Sequence, residues 1–193
     1  MRLKVLITVP DLNLIGGKAN YYSALEGRFK ENVEYFTYGP RSNSNETGKF
    51  QKAKRLINDY LKFRNKLKEE NFDLVHVNPS LEPNGFLRDS VFVLISLLLN
   101  VKVLVFWRGW STAFEKEVSG RLNWLFKLTY QKADAMIVLA DDFRQKLVAW
   151  NFDSQIFQET TVLDESLIEG FSTETINEKF LEKKTKLLFL ARL

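Results

Sequence analysis

Apolar and polar positions along this chain switch repeatedly between two periods. Short runs rich in β-branched residues, such as Arg2–Val9 (RLKVLITV), read as buried strands. Between such runs apolar residues recur about one turn apart, as in Ala19, Tyr22, Leu25 and Phe29, which is helical spacing. The alternation predicts strands at 3–9, 33–38, 73–77, 102–106, 134–139, 156–162 and 186–190. Helices are predicted at 17–30, 50–70, 86–99, 117–132 and 141–150. Apolar strands alternating with helices imply an α/β fold, a Rossmann-like parallel sheet with helices on both faces. Ligands of such sheets gather beyond the carboxyl ends of the strands. Attention therefore falls on Pro10–Lys18, Asn78–Gly85, Trp107–Thr112 and Ala140–Asp142.

Val91–Trp107 (VFVLISLLLNVKVLVFW) is the one stretch that resembles a membrane span, but it is short and Asn100 and Lys102 interrupt it. A buried helix ending near Asn100, followed by a strand at Lys102–Phe106, accounts for it. The helix at 50–70 carries Lys52, Lys54, Arg55, Lys62, Arg64, Lys66 and Lys68, with Ala53, Leu56, Ile57, Tyr60 and Leu67 as its apolar stripe. That pattern fits a solvated charged face, or a surface that docks on a membrane. Arg121–Lys127 (RLNWLFK) leaves the same two readings open, a core helix with cationic edges or an interfacial helix.

Composition narrows the picture. In 193 residues, 45% hydrophobic and 13% aromatic content supplies a packed core and excludes wholesale disorder. A net charge of +4 suits acidic small molecules or an anionic membrane surface and does not imply nucleic acid. The absence of cysteine excludes disulfides, thiolate metal sites and cysteine nucleophiles, and fits a cytoplasmic location. MRLKVLITVPDL has no small-residue cleavage site and is not read as a signal peptide. The sequon Asn45-Glu46-Thr47, in the turn-rich loop Gly39–Gly48, is therefore read as coincidence.

Candidate chemistry begins at Pro10–Ala19 (PDLNLIGGKA), between the first strand and the first helix. The pair Gly16-Gly17 lets backbone approach a ligand closely, and the N–H groups of a helix start favour a phosphate. A plain tight turn is the alternative. The dinucleotide fingerprint is absent, because the loop has no G-x-G-x-x-G and the second strand ends in Tyr38-Gly39 without a carboxylate. A P-loop is excluded because Leu12 stands where its first glycine belongs and Ala19 where a hydroxyl would hold magnesium. With one histidine, His76, and no cysteine, no zinc constellation is expected, and a Ser-His-Asp triad lacks its Gly-x-Ser-x-Gly.

The pieces together resemble the N-terminal half of a GT-B glycosyltransferase of the GT4 type. The resemblance covers nearly the whole chain. It rests on Lys4–Val9 followed by Gly16-Gly17, on Phe72-Asp73-Leu74-Val75-His76-Val77-Asn78, on Val103–Gly109, on Ala133–Ala140 (ADAMIVLA) and on the closing Leu187–Leu193. It implies a two-domain enzyme that moves a sugar from a nucleotide sugar to a glycan or lipid-linked acceptor, with retention and without metal or other cofactor. Residues 1–165 match the acceptor domain, 166–185 a linker, and 186–193 the first strand of a donor-binding domain that is otherwise missing. On this resemblance Gly16, Gly17 and Lys18 meet the donor phosphates, while Asn13, Asn78, Arg108 and Trp110 face the acceptor.

Two departures stand out. The family's fourth strand commonly ends in a histidine near the reacting sugar, and Arg108 occupies that place here. A guanidinium cannot act as a base near neutral pH, but it can hold a phosphate or carboxylate bidentately. It can equally be a loop arginine paired with a nearby carboxylate. The donor half's Glu-x7-Glu is also absent, and Glu26/Glu34 and Glu174/Glu182 match its spacing by accident. His76 reads as structural, and Asp141 and Asp142 as caps of the helix that follows. Two other readings remain: a non-catalytic subunit that binds an acceptor or docks on a membrane for a separate catalytic partner, and a flavodoxin-like or epimerase fold with another nucleotide ligand.

Overall fold

A computed structural model describes residues 3–42 and 48–162. The linker at 166–185, the strand at 186–190, the glutamates at 174 and 182 and the sequon lie outside the described residues. Six strands form one parallel sheet: β1 (Lys4–Val9), β2 (Asn32–Thr37), β3 (Leu74–Val77), β5 (Lys102–Phe106), β7 (Ala135–Val138) and β8 (Gln155–Gln158). Between them run α1 (Gly17–Ala24), α2 (Lys49–Glu69), α3 (Pro83–Leu98), α4 (Thr112–Ser119), α5 (Asn123–Leu128) and α6 (Asp141–Ala149). The sheet order is β2-β1-β3-β5-β7-β8. The chain thus leaves β1 in one direction and resumes on its other side with β3, and the crevice at such a reversal is where doubly wound sheets hold their ligands.

Two aspartates set the register. Asp73, just before β3, accepts the backbone N–H of Lys4 at 2.8 Å, and its own N–H donates to Lys4 O at 2.9 Å. Asp134, just before β7, does the same for Val103 on β5, at 2.8 and 2.9 Å. Each ties an N–H at the start of a neighbouring strand. Both sheet faces are covered. Tyr22 of α1 packs on Val5, Ile7 and Val9. On the opposite face Phe63 and Leu67 of α2, Phe92 and Val93 of α3 and Phe126 of α5 bury Leu6, Val75, Val77, Val103 and Val105. The stretch 91–107 resolves as read, into α3 and β5. Asn100, at φ 55°, takes the left-handed position, while Val101 N–H bonds Ser96 O and Asn100 N–H bonds Leu97 O. Asn151 ends α6 in the same way.

Three local readings change. The helix expected over 17–30 stops at Ala24, because Gly27 adopts φ 72° and the chain turns through i→i−3 bonds at Glu26 and Arg28. The helix expected over 117–132 begins earlier, breaks at Gly120 and ends in a 3-10 turn at Tyr130–Lys132. Asp141 and Asp142 lie in the first turn of α6 rather than capping it; the N-cap is Ala140, and the carboxylates face the positive helix end.

The segments β4 (Ser80–Leu81) and β6 (Gly109–Trp110), outside the expected strands, pair in parallel, Ser80 opposite Gly109 and Leu81 opposite Trp110. Two glycines permit this. A Cβ on Gly85 would lie 2.9 Å from Ser80 O, and one on Gly109 would lie 3.1 Å from Ser80 Oγ. Gly85→Ala is expected to destabilise by about 1–3 kcal/mol in urea unfolding, since a backbone oxygen must yield. Gly16→Ala should change stability by less than about 0.5 kcal/mol, because nothing lies within 4 Å of its added Cβ. Equal costs at the two positions would refute this packing.

Candidate functional site

The loops after β1, β3 and β5 meet at the reversal of the sheet. Asp11 organises the first of them. Its Oδ1 accepts from Asn13 N–H at 3.0 Å and from Asn13 Nδ2 at 3.1 Å, while its Oδ2 accepts from Ser42 N–H at 2.8 Å and Ser42 Oγ at 3.1 Å. These bonds, the backbone one from Ser42 foremost, hold its carboxyl down at about 2. Asn13 is therefore part of a side-chain turn. Gly16 has an extended backbone, and open space surrounds both Gly16 and Gly17. The first N–H groups of α1 have no carbonyl of their own helix to meet.

Behind that loop a polar cluster fastens β1 to β3. Asn78 is fully buried; its Nδ2 donates to Thr8 O at 2.9 Å and its Oδ1 accepts from the Tyr22 hydroxyl. Its amide is thus committed inside the protein, and its part in the site is to place neighbours rather than to meet an acceptor directly. Lys18 Nζ donates to the Asn78 carbonyl at 2.6 Å, using one of its three ammonium donors. Burial pushes Lys18 down to about 8; the charges of Arg88 and Arg108 act the same way, while Asp89 and Glu82 oppose them. The His76 ring stacks 6.1 Å from Phe106 and lies 3.5 Å through Nε2 from the Tyr22 hydroxyl. Burial, with Arg108 adding to it, lowers His76 to about 3, so it is neutral at physiological pH.

Arg108 arrives from the end of β5. Its backbone N–H donates to Pro79 O at 2.9 Å, which seats it beside the β3 loop. The guanidinium lies 3.7 Å above the Tyr21 ring and 4.6 Å from that of Phe106, and burial lowers its pKa. Its Nε and Nη1 are out of solvent and meet no hydrogen-bond acceptor among the described residues. Among the described residues it has no carboxylate partner, the ordinary reading of a loop arginine.

Trp110 sits differently. Its ring stacks on Phe143 at 4.5 Å and on Trp150 at 5.8 Å, and its Nε1 donates to Glu115 at 2.7 Å. Glu115 also pairs with Lys146 at 3.1 Å. The indole is engaged in packing between α4 and α6. Beside it a cleft of about 430 Å³ is lined by Thr112, Glu115, Asp142, Phe143, Gln145 and Lys146. Neither a protein-family model nor a curated protein matches the chain. The site stands on its own geometry.

The segments named from the sequence do come together, with Lys18 in the first turn of α1 and Asn78 and Arg108 just past β3 and β5. Trp110 lies in its own aromatic stack. Sequence reasoning missed Asp11, Tyr21, Tyr22 and Glu115. Tyr22 was visible as part of the helical stripe, but its hydroxyl partner comes from 56 residues away. Glu34, from the accidental Glu-x7-Glu pair, belongs to an ion cluster with Lys4 and Lys66.

Proposed function

We propose that this chain is the acceptor-binding, Rossmann-like half of a retaining glycosyltransferase that uses a nucleotide-sugar donor. The observation that supports it most is the pair of cations, Lys18 in the first turn of α1 and Arg108 just past β5, on the carboxyl side of the sheet. Arg108 brings two buried N–H groups, without acceptors among the described residues, to the side of an open Gly-Gly loop. Two fixed positive groups and free helix N–H groups suit an anion, and a departing nucleoside diphosphate is the anion that sugar transfer develops. Arg108 would act by stabilising that charge; it cannot take a proton. The neighbouring cleft offers hydroxyl-binding carboxylates, an amide and an ammonium for a glycan or lipid-linked acceptor. The strand order is shared with flavin-binding sheets, so fold alone does not select among nucleotide ligands.

The test is calorimetric binding of a panel of nucleotide-diphosphate sugars to this chain. One sugar nucleotide should bind, and Arg108→Ala should weaken it roughly tenfold to a hundredfold, the loss of charge-assisted bonds. Affinity should also fall as pH rises through about 8, because Lys18 loses its proton there while the diphosphate diester keeps its charge. Absence of binding across the panel would overturn the proposal.

A further inference from the structure

Among the described residues, no helix is long and apolar enough to cross a membrane. The outer face of α2 is nevertheless unlike a solvated helix. Its inner face is complete: Phe63 and Leu67 enter the core, and Asp59, which is buried, accepts from Gly39 N–H at 2.9 Å and pairs with Arg41 at 3.2 Å. Yet Phe50, Ile57 and Leu61 stand 82%, 59% and 54% exposed on the opposite side. At helical spacing these three fall within an arc of about 40°, a single crest facing away from the core. Lys54, Arg64 and Lys68, all exposed, share that outward side, with Lys62 on one flank.

The charge selects the occupant. Over its 21 residues α2 carries eight lysines and arginines against two acidic residues, one of which is the internally paired Asp59. A second copy of this crest would meet its own positive charge. An apolar ridge set among cations complements an anionic lipid surface, where the ridge enters the acyl boundary and the ammonium groups stay at the headgroups. A second helix on the same sheet face, separated from α2 by α3, has a similar outer side. Trp124 of α5 is 63% exposed, with Leu128 also exposed and Arg121 and Lys127 beside them. Because α2 starts on the carboxyl side of β2, the Phe50 end of the crest lies at the same end of the sheet as Lys18 and Arg108.

We propose that α2 is a membrane-docking helix that seats this domain on anionic lipid through Phe50, Ile57 and Leu61 and the basic residues around them. The probe is co-sedimentation with vesicles of phosphatidylcholine alone and of phosphatidylcholine mixed with phosphatidylglycerol. The protein should sediment with the mixed vesicles at low salt and be released by raised salt. Lys54→Gln/Arg64→Gln/Lys68→Gln should weaken binding on the order of a hundredfold, since each basic residue near an anionic surface contributes about fivefold. Phe50→Ser/Ile57→Ser/Leu61→Ser should abolish binding with an unchanged circular dichroism melt, all three positions being exposed. The chain has no cysteine, so a polarity-sensitive dye on Ile57→Cys reports depth directly. Its emission should shift to the blue on mixed vesicles, while the same dye on Asp153→Cys should not. Absence of sedimentation, equal binding to neutral vesicles, or an unshifted dye at position 57 would overturn the proposal. So would concentration-dependent dimers that the serine variant disperses. None of these measurements depends on sugar transfer.

Discussion

Asn78→Ala is expected to destabilise the domain by about 2–5 kcal/mol, because it takes the amide partner from two buried polar groups. Those groups are the Thr8 carbonyl, which accepts from Nδ2 at 2.9 Å, and the Tyr22 hydroxyl, which donates to Oδ1. Thr8 and Asn78 are fully buried and Tyr22 nearly so, which leaves little room for water to replace the amide. The comparison that separates hydrogen bonding from cavity formation is Asn78→Leu. It fills most of the volume, satisfies neither group and should cost nearly as much. Urea unfolding of both variants provides the measurement. A loss below about 1 kcal/mol in both would mean that this amide does not join β1 to β3. The Lys18 ammonium bonds the backbone of the same residue, so loosening Asn78 should also weaken nucleotide-sugar binding, a second and separable readout.

Acid should destabilise the protein through its one histidine. Folding lowers His76 from its ordinary 6.5 to about 3, burial first and the Arg108 charge second. Between these values the unfolded chain binds a proton that the native state refuses. Stability therefore falls as pH drops from about 6.5 towards 3 and is unaffected by this group above 6.5. The full shift would correspond to about 5 kcal/mol, and the ring's partial exposure reduces that to about 2–3 kcal/mol. His76→Gln cannot charge, so its stability should be flatter than the wild type's across that interval. As the sole histidine, its ring protons give an unambiguous NMR titration. An imidazole that titrates near 6.5 in the folded protein would refute the assignment.

Parallel alternation was legible because each link of it is local. The β-branched strands, the one-turn apolar spacing and Asn100 as a stop all act within a few residues. The misread boundaries were local too, but turned on backbone conformations that composition does not declare: the left-handed Gly27 and the break at Gly120. The short ladder of β4 and β6 was invisible for another reason. Two-residue strands carry no periodicity, and what permits them is the close approach of Gly85 and Gly109 to Ser80.

The candidate site divides in the same way. Its positions followed from where strands end, so Gly16, Gly17, Lys18, Asn78 and Arg108 could be named from the sequence. Their chemistry could not. Asn78 differs from an open acceptor-facing amide only because Thr8 and Tyr22 claim both ends of it. Trp110 is held by Phe143 and Trp150, which lie 33 and 40 residues further along the chain.

Thus the sequence by itself determined the α/β class, the order of the elements and the end of the sheet at which loops converge, because hydrophobic period is a property of neighbours in the chain. Only the tertiary structure decided which side chains are already satisfied and which still face outward with unmet valence. Hydrogen-bond partnership and burial are set between residues distant in sequence. Among the described residues they leave the buried N–H groups of Arg108 without an acceptor and the Phe50–Leu61 crest exposed.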